Sequence, residues 1–167
     1  KAIISTVVST PAKQPENSEL VDPSKQFVHL HVHTEYSMLD GAARVKELVK
    51  EVSVSGAPAI AITDHGNLFG AYEFYKEAQS AGVKPIIGIE AYVAPGSRHE
   101  RKRVKWAEGG EDDVSGGGAY THMTILAENN VGLHNLFRLS SLASLEGYYY
   151  KPRMDRELLS HYSTGLI

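Results

Sequence analysis

The sequence predicts an α/β fold, a mainly parallel sheet with crossover helices that is either doubly wound or closed into a barrel. Three observations lead there. From Phe27 onward, short apolar or alternating runs of strand type take turns with longer amphipathic stretches of helical period. Gly56 and Gly82 stand where two of those helical stretches stop, and a left-handed cap there needs no side chain. Histidines and carboxylates recur at the ends of the strand-type runs, where parallel α/β sheets and barrels build their sites.

Residues 1–26 mix Ser, Thr, Pro and charge without periodicity, which reads as a flexible leader. Strands are expected at Phe27–His31, Ala59–Thr63, Pro85–Ala94 and Thr121–Ala127, each a β-branched or alternating run. Between the first three, Arg44–Ser55 and Ala71–Ala81 carry apolar residues at helical spacing. Leu133–Ala143 reads as a third helix and Met154–His161 as a fourth. Pro95 to Tyr120 breaks the alternation with a basic run from Arg98 to Lys105, an acidic stretch from Glu108 to Asp113 and three glycines from Gly116, and reads as a long surface loop. The chain starts at Lys1 and closes on Gly165–Ile167, which looks like the start of another strand, so both ends read as cut. No internal repeat and no glycine-rich phosphate loop is found.

The chain has 167 residues, 17 basic and 20 acidic, for a net charge of -3. That balance provides no general positive field for holding DNA by phosphate neutralisation, so any nucleic-acid contact must be local. With no cysteine, neither a disulfide framework nor a thiolate metal site is available, and any metal has to be held by imidazole and carboxylate. No apolar run reaches the roughly 20 residues that a membrane helix needs, and the expected location is cytoplasmic.

His29, His31 and His33 alternate along an expected strand and so point to one side of it. His31 and His33 sit at its carboxyl end and can grip one ion; His29 lies about 7 Å deeper and reads as packing or support. Alone, a His-x-His pair fits an ordinary polar strand equally well. The later strands shift the balance, since Asp64-His65 follows the second, Glu90 lies in the third and His122 starts the fourth. Imidazoles and carboxylates arriving from successive strands describe a hydrolytic site with several metals. Asp64 is open to a plainer role as a turn or helix cap, as is Asp40 one loop beyond His33. Glu90 stands in an apolar strand, where an uncompensated carboxylate is costly and calls for a metal or an arginine. His134 reads as structural, and His99 and His161 as surface residues.

The stretch Phe27–Ala42, with its His29-Leu30-His31-Val32-His33 core and the loop Tyr36–Gly41, resembles the opening of the PHP domain of bacterial replicative polymerases, the alpha subunits of DNA polymerase III. The likeness continues through Ala61–Gly70, Lys84–Tyr92 and Tyr120–Ala127, and covers Phe27 to Ile167. The His-x-His and Thr63-Asp64-His65-Gly66 pieces are shared with stand-alone PHP phosphatases; the Tyr36–Gly41 loop and the Tyr120–Ala127 strand mark the polymerase branch. The resemblance implies a distorted, TIM-like (β/α)7 barrel, of which this chain holds four βα units and the edge of a fifth. It implies divalent metal ligands at His31, His33, Asp40, His65, Glu90 and His122. Up to three zinc, manganese or iron ions would be held in the complete domain, with further ligands beyond Ile167.

The activity so implied is metal-dependent hydrolysis of a phosphodiester, removing a misincorporated 3' nucleotide, with His31, His33, His65 and Glu90 acting through bound metal. Partners implied are primer-template DNA, the rest of the polymerase subunit and replisome proteins such as the sliding clamp. Arg98, Arg101, Lys102 and Arg103 are candidates for the phosphate backbone, although charged loops are usually only solvated. Two other readings stay open: a silent PHP domain that supports the polymerase or docks another subunit, and a small-molecule phosphatase of the histidinol-phosphate type.

Overall fold

The computed structural model describes residues 27–104 and 117–167. The expected leader and most of the acidic and glycine-rich loop therefore lie outside the described residues. A tight 3-10 segment, Glu35–Asp40, comes first, followed by α1 (Val45–Ser55), β1 (Ala59–Ile62), α2 (Ala71–Ser80), β2 (Lys84–Val93), β3 (Thr121–Leu126), α3 (Asn130–Leu145), β4 (Arg153–Met154) and α4 (Arg156–His161).

Each helix has a local cause. In α1, Val45, Val49 and Val52 fall on one face and are buried; Gly56, at φ 74, turns the chain out and returns its N–H to Ser53. Phe74 and Ala78 anchor α2 in the same way, and Gly82 follows it at φ 71. The side chain of Asn129 accepts from the Gly132 N–H to start α3, and Asp155 does the same for α4 through Leu158.

The expected mainly parallel sheet carries an antiparallel pair. β1 and β2 pair in parallel, from Ala59 opposite Lys84 to Ile62 opposite Ile87. β3 runs antiparallel to β2, from Gly88 opposite Leu126 to Val93 opposite Thr121. Among the described residues of this connection, 94–104 and 117–120, no helix is found, and an antiparallel pair needs none. Tyr92 and Val93 pair also with Arg153 and Met154, in parallel, so β4 takes the other edge of β2 beyond the end of β1.

Two expectations are corrected. Phe27–His31 forms no regular strand; it runs beside β1 on two backbone hydrogen bonds, from Ala61 N–H to His29 O and from Thr63 N–H to Val32 O, each 2.8 Å. Acceptors three residues apart serve donors two apart, an offset that breaks the ladder. The expected helix Met154–His161 splits at Asp155, whose capping carboxylate starts α4 and leaves Met154 to β4. At the other end, Leu126 and Ile167 exchange two backbone hydrogen bonds, at 2.8 and 3.0 Å, so the final residues extend the sheet beside β3.

Two apolar clusters hold these elements. One gathers Val45, Val49, Ile60, Ile62, Phe74 and Ile87, the other Ile89, Ile125, Leu136, Leu139, Met154 and Leu158. Arg153 is 1% exposed and spends its guanidinium on carbonyls: Nε on Gly147, Nη1 on Ala119, Nη2 on Arg98 and Glu100, at 2.7–3.1 Å. It thereby ties the chain on both sides of residues 105–116 to the end of α3.

Candidate metal centre

The offset run from Phe27 delivers His31 and His33 above the carboxyl end of β1, while β2 brings Glu90 up from below the same spot. His65, in the turn after β1, pairs with Glu90 through a parallel bridge. His122 enters from β3 opposite Tyr92. Glu90 is the hub, since its Oε2 lies 2.5 Å from His31 Nε2 and 2.7 Å from His33 Nε2. Its Oε1 meets His122 Nδ1 and stands 3.8 Å from His65 Nδ1.

One carboxylate thus faces two groups of donors, His31 with His33 on one oxygen and His65 with His122 on the other. The two Nε2 atoms of His31 and His33 are 3.1 Å apart. Two ligand atoms of one tetrahedral zinc, each about 2.0–2.1 Å from it, are about 3.3 Å apart, so the spacing of the two imidazoles fits a shared ion. His65 Nδ1 is buried and has no hydrogen-bond partner, a lone pair or proton that a bound cation would account for. The donors present, imidazole and carboxylate, are of the kind that hold divalent metals.

The local electrostatics favour ligand-ready forms. At Glu90, burial works against the charge, but hydrogen bonds from His31 and His122 and the nearby His65 outweigh it and hold the carboxyl below its usual range. At His65, burial is the main cause of a lowered value; Glu90 pulls the other way, and His33 and His122 reinforce the lowering. A neutral imidazole is the form that binds metal. Tyr92 stacks on His65, and its hydroxyl is pushed up to about 12, chiefly by burial and then by Tyr120, Asp40 and Glu90, so it stays a phenol at neutral pH.

Not every expected residue joins the centre. The structure brings together His31, His33, His65, Glu90 and His122. Asp40 stays at the margin, its side chain 71% exposed and its Oδ2 3.4 Å from His65 Nε2. It does not cap α1, whose preceding residue, Arg44, offers no side-chain hydrogen bond. Asp64 caps no helix either; it turns inward to Thr34 and Ser37. Thr34 and Ser37 give no signal of this role in the sequence, because a hydroxyl in a loop has no diagnostic spacing. His29 is exposed and stands edge-on to Phe27.

The basic run is less available than its charge implies. Arg98 was expected to face phosphate, yet its side chain is 13% exposed and engages Glu146 at 2.7 Å, Asp155 at 3.1 Å and Glu157 at 3.7 Å. Glu146 first, and then Asp155, outweigh burial and raise its pKa. Lys102 pairs with Glu100 at 3.1 Å, and Arg103 lies 5.1 Å over the Tyr150 ring, while Arg101 is exposed. Lys105 lies outside the described residues.

Curated relatives with this sequence are long. The chain is 61% identical over 156 residues to the DNA polymerase III subunit alpha of Saccharopolyspora erythraea, matching 88% of this chain and 13% of that one. Against the same subunit of Mycobacterium leprae it is 59% identical, over 84% of this chain and 12% of the relative, and against that of Thermus aquaticus 54%, over 85% and 11%. The chain therefore spans about an eighth of the length of these relatives. The PHP domain model matches residues 29–167, nearly all of the described structure and every residue of the centre, and the chain belongs to the PHP domain family.

Proposed function

We propose that this segment holds the metal centre of a phosphodiester-hydrolysing PHP domain within a DNA polymerase III alpha subunit, and that the domain removes misincorporated nucleotides from a 3' end. The observation that carries the reading is Glu90, whose two oxygens each face a separate pair of imidazoles. A carboxylate between two donor groups is the arrangement of a two-metal hydrolytic site, in which ions about 3.5–4 Å apart clamp a reacting phosphate. Divalent metals held there supply a lowered water pKa, toward about 7, and charge neutralisation on the phosphodiester.

The chain's own residues do the holding. His31 and His33 with Glu90 would hold one metal, and His65 and His122 with Glu90 another. Asp40, at the exposed rim 3.4 Å from His65 Nε2, would be a further ligand on that side of the centre. Primer-template DNA is the substrate in this reading, and the rest of the polymerase subunit is the covalent partner. Among the described residues of the basic run, exposed Arg101 is placed to meet phosphate, Arg98 being engaged by Glu146 and Asp155 and Lys102 by Glu100.

The test is metal analysis on the full polymerase polypeptide that carries this segment, followed by hydrolysis of a 3'-mismatched primer. Two or three metals per chain, and loss of hydrolysis in a His31→Ala, His33→Ala variant, are expected. A metal-free and inactive but folded polypeptide would refute the nuclease reading and leave a supporting domain.

A further inference from the structure

Asp64 is 2% exposed at the end of β1, and among the described residues no cationic side chain lies within 4 Å of it. Its charge is met by hydrogen bonds alone. Oδ1 accepts from the Thr34 N–H and from the Ser37 hydroxyl, each at 2.6 Å, and Oδ2 accepts from the Thr34 hydroxyl at 2.8 Å. Ser37 is itself buried, 6% exposed.

A serine hydroxyl has one proton to give and two lone pairs to receive. Ser37 Oγ is in three contacts: Asp64 Oδ1 at 2.6 Å, the His65 backbone N–H at 3.1 Å and His33 Nδ1 at 2.9 Å. Asp64 Oδ1 already accepts from the Thr34 N–H, so the Ser37 proton goes to it; withholding that proton would place two lone-pair oxygens 2.6 Å apart. The backbone amide fills one lone pair. The other can pair with His33 only if Nδ1 carries the imidazole proton. His33 Nε2 then carries no proton yet faces Glu90 Oε2 at 2.7 Å and His31 Nε2 at 3.1 Å, a meeting of lone pairs that a shared cation would account for.

We propose that Ser37 and Asp64 are positioning residues of the metal centre, fixing His33 in the Nδ1–H tautomer and so aiming its Nε2 lone pair at the ion. The inference rests on the metal-centre reading above. It extends the familiar logic of a carboxylate behind a ligating histidine, here with a hydroxyl between them. The carboxylate orients the hydroxyl, the hydroxyl orients the ring, and Thr34 holds the carboxylate by both its amide and its side chain.

The experiment is zinc affinity by competition with a chromophoric chelator, on the full polypeptide, for the parent and for Ser37→Ala, Ser37→Thr and Asp64→Asn. Outer-layer partners of ligating histidines typically contribute about 10- to 100-fold in affinity. Ser37→Ala is expected to weaken zinc binding by about that factor, and Ser37→Thr, which keeps the hydroxyl, to restore most of it. Asp64→Asn keeps the shape and serves if Ser37→Ala melts before measurement; at least a several-fold loss is expected. Parent-like affinity in Ser37→Ala or Asp64→Asn overturns the proposal, and so does an equal loss in the Ala and Thr variants, which would mean that packing alone matters. If the parent polypeptide binds no zinc, manganese or iron, the metal-centre reading itself has failed, a result separable from all of these.

Discussion

Asp155 joins two distant stretches of chain through one carboxylate: it accepts from the Leu158 N–H at 2.9 Å and from the Arg98 N–H at 2.8 Å, with the Arg98 guanidinium at 3.1 Å. Burial opposes its ionisation, but the Arg98 and Leu158 amides and then the Arg98 charge prevail and hold the carboxyl below its usual value. A depressed folded value means that its contribution to stability is present above the unfolded value near 3.9 and is lost as pH falls through the lower folded one. Asp155→Asn is therefore expected to lower the melting temperature at pH 7 and to flatten its decline below about pH 5; parallel melting curves for variant and parent across that range would refute this. At this scale the sequence was informative wherever residue type and strand position coincided, as at His31, His33, His65, Glu90 and His122. It was silent on Ser37 and ambiguous on Asp64, because an aspartate after a strand serves caps and turns equally well. Only the folding back of residues 34–37 over β1 decides between those roles. Arg98 misled for the reverse reason, since its carboxylate partners lie about 50 positions away.

Helices α1 and α2 were legible nearly to the residue, because apolar spacing sets their buried faces and Gly56 and Gly82 end them. α3 begins earlier than its apolar pattern, at Asn130, because Asn129 caps it. Strand direction was not legible, since alternation reads the same both ways. One glycine makes an element-level prediction of unusual sign. Exchanging a helical glycine for alanine normally stabilises by about 1 kcal/mol. At Gly132, in the first turn of α3, an added Cβ would lie 1.7 Å from Gly165 O, so backbone has to move. Gly132→Ala is expected to destabilise by about 1–3 kcal/mol, read from the denaturant midpoint; an unchanged or higher midpoint would sink the close-approach argument.

Across the whole molecule, the residues of the centre arrive from four stretches of chain, the Phe27 run, the turn after β1, β2 and β3, so a bound ion cross-links the fold as well as serving chemistry. Metal at about 100 times its dissociation constant adds about 2.7 kcal/mol to the folded state. Chelation is expected to lower the melting temperature of the full polypeptide, and the His31→Ala, His33→Ala variant to show little further drop. Away from the centre, Phe27, Leu30 and Ile167 are exposed at 67%, 48% and 74%, and a groove of about 580 Å³ opens between the Phe27 run and α1. The Phe27 run also has a backbone edge with few partners. By itself the 167-residue chain is expected to self-associate, as light scattering after size exclusion would report; a monodisperse monomer with a cooperative melt would contradict that. The barrel to which the resemblance pointed needs partners for that edge. The Arg153 clamp has a different consequence, for mutational tolerance. It reads only main-chain oxygens at positions 98, 100, 119 and 147, so as far as the clamp is concerned those side chains are free to change. Gly147 is held by lack of space and Arg98 by its carboxylates, but the exposed Glu100 is bound by neither. Arg153 itself has no substitute, because a lysine brings one nitrogen to a task spread over three. Saturation mutagenesis should find position 153 intolerant even of lysine, while position 100, only two residues from a buried ion pair, accepts nearly anything.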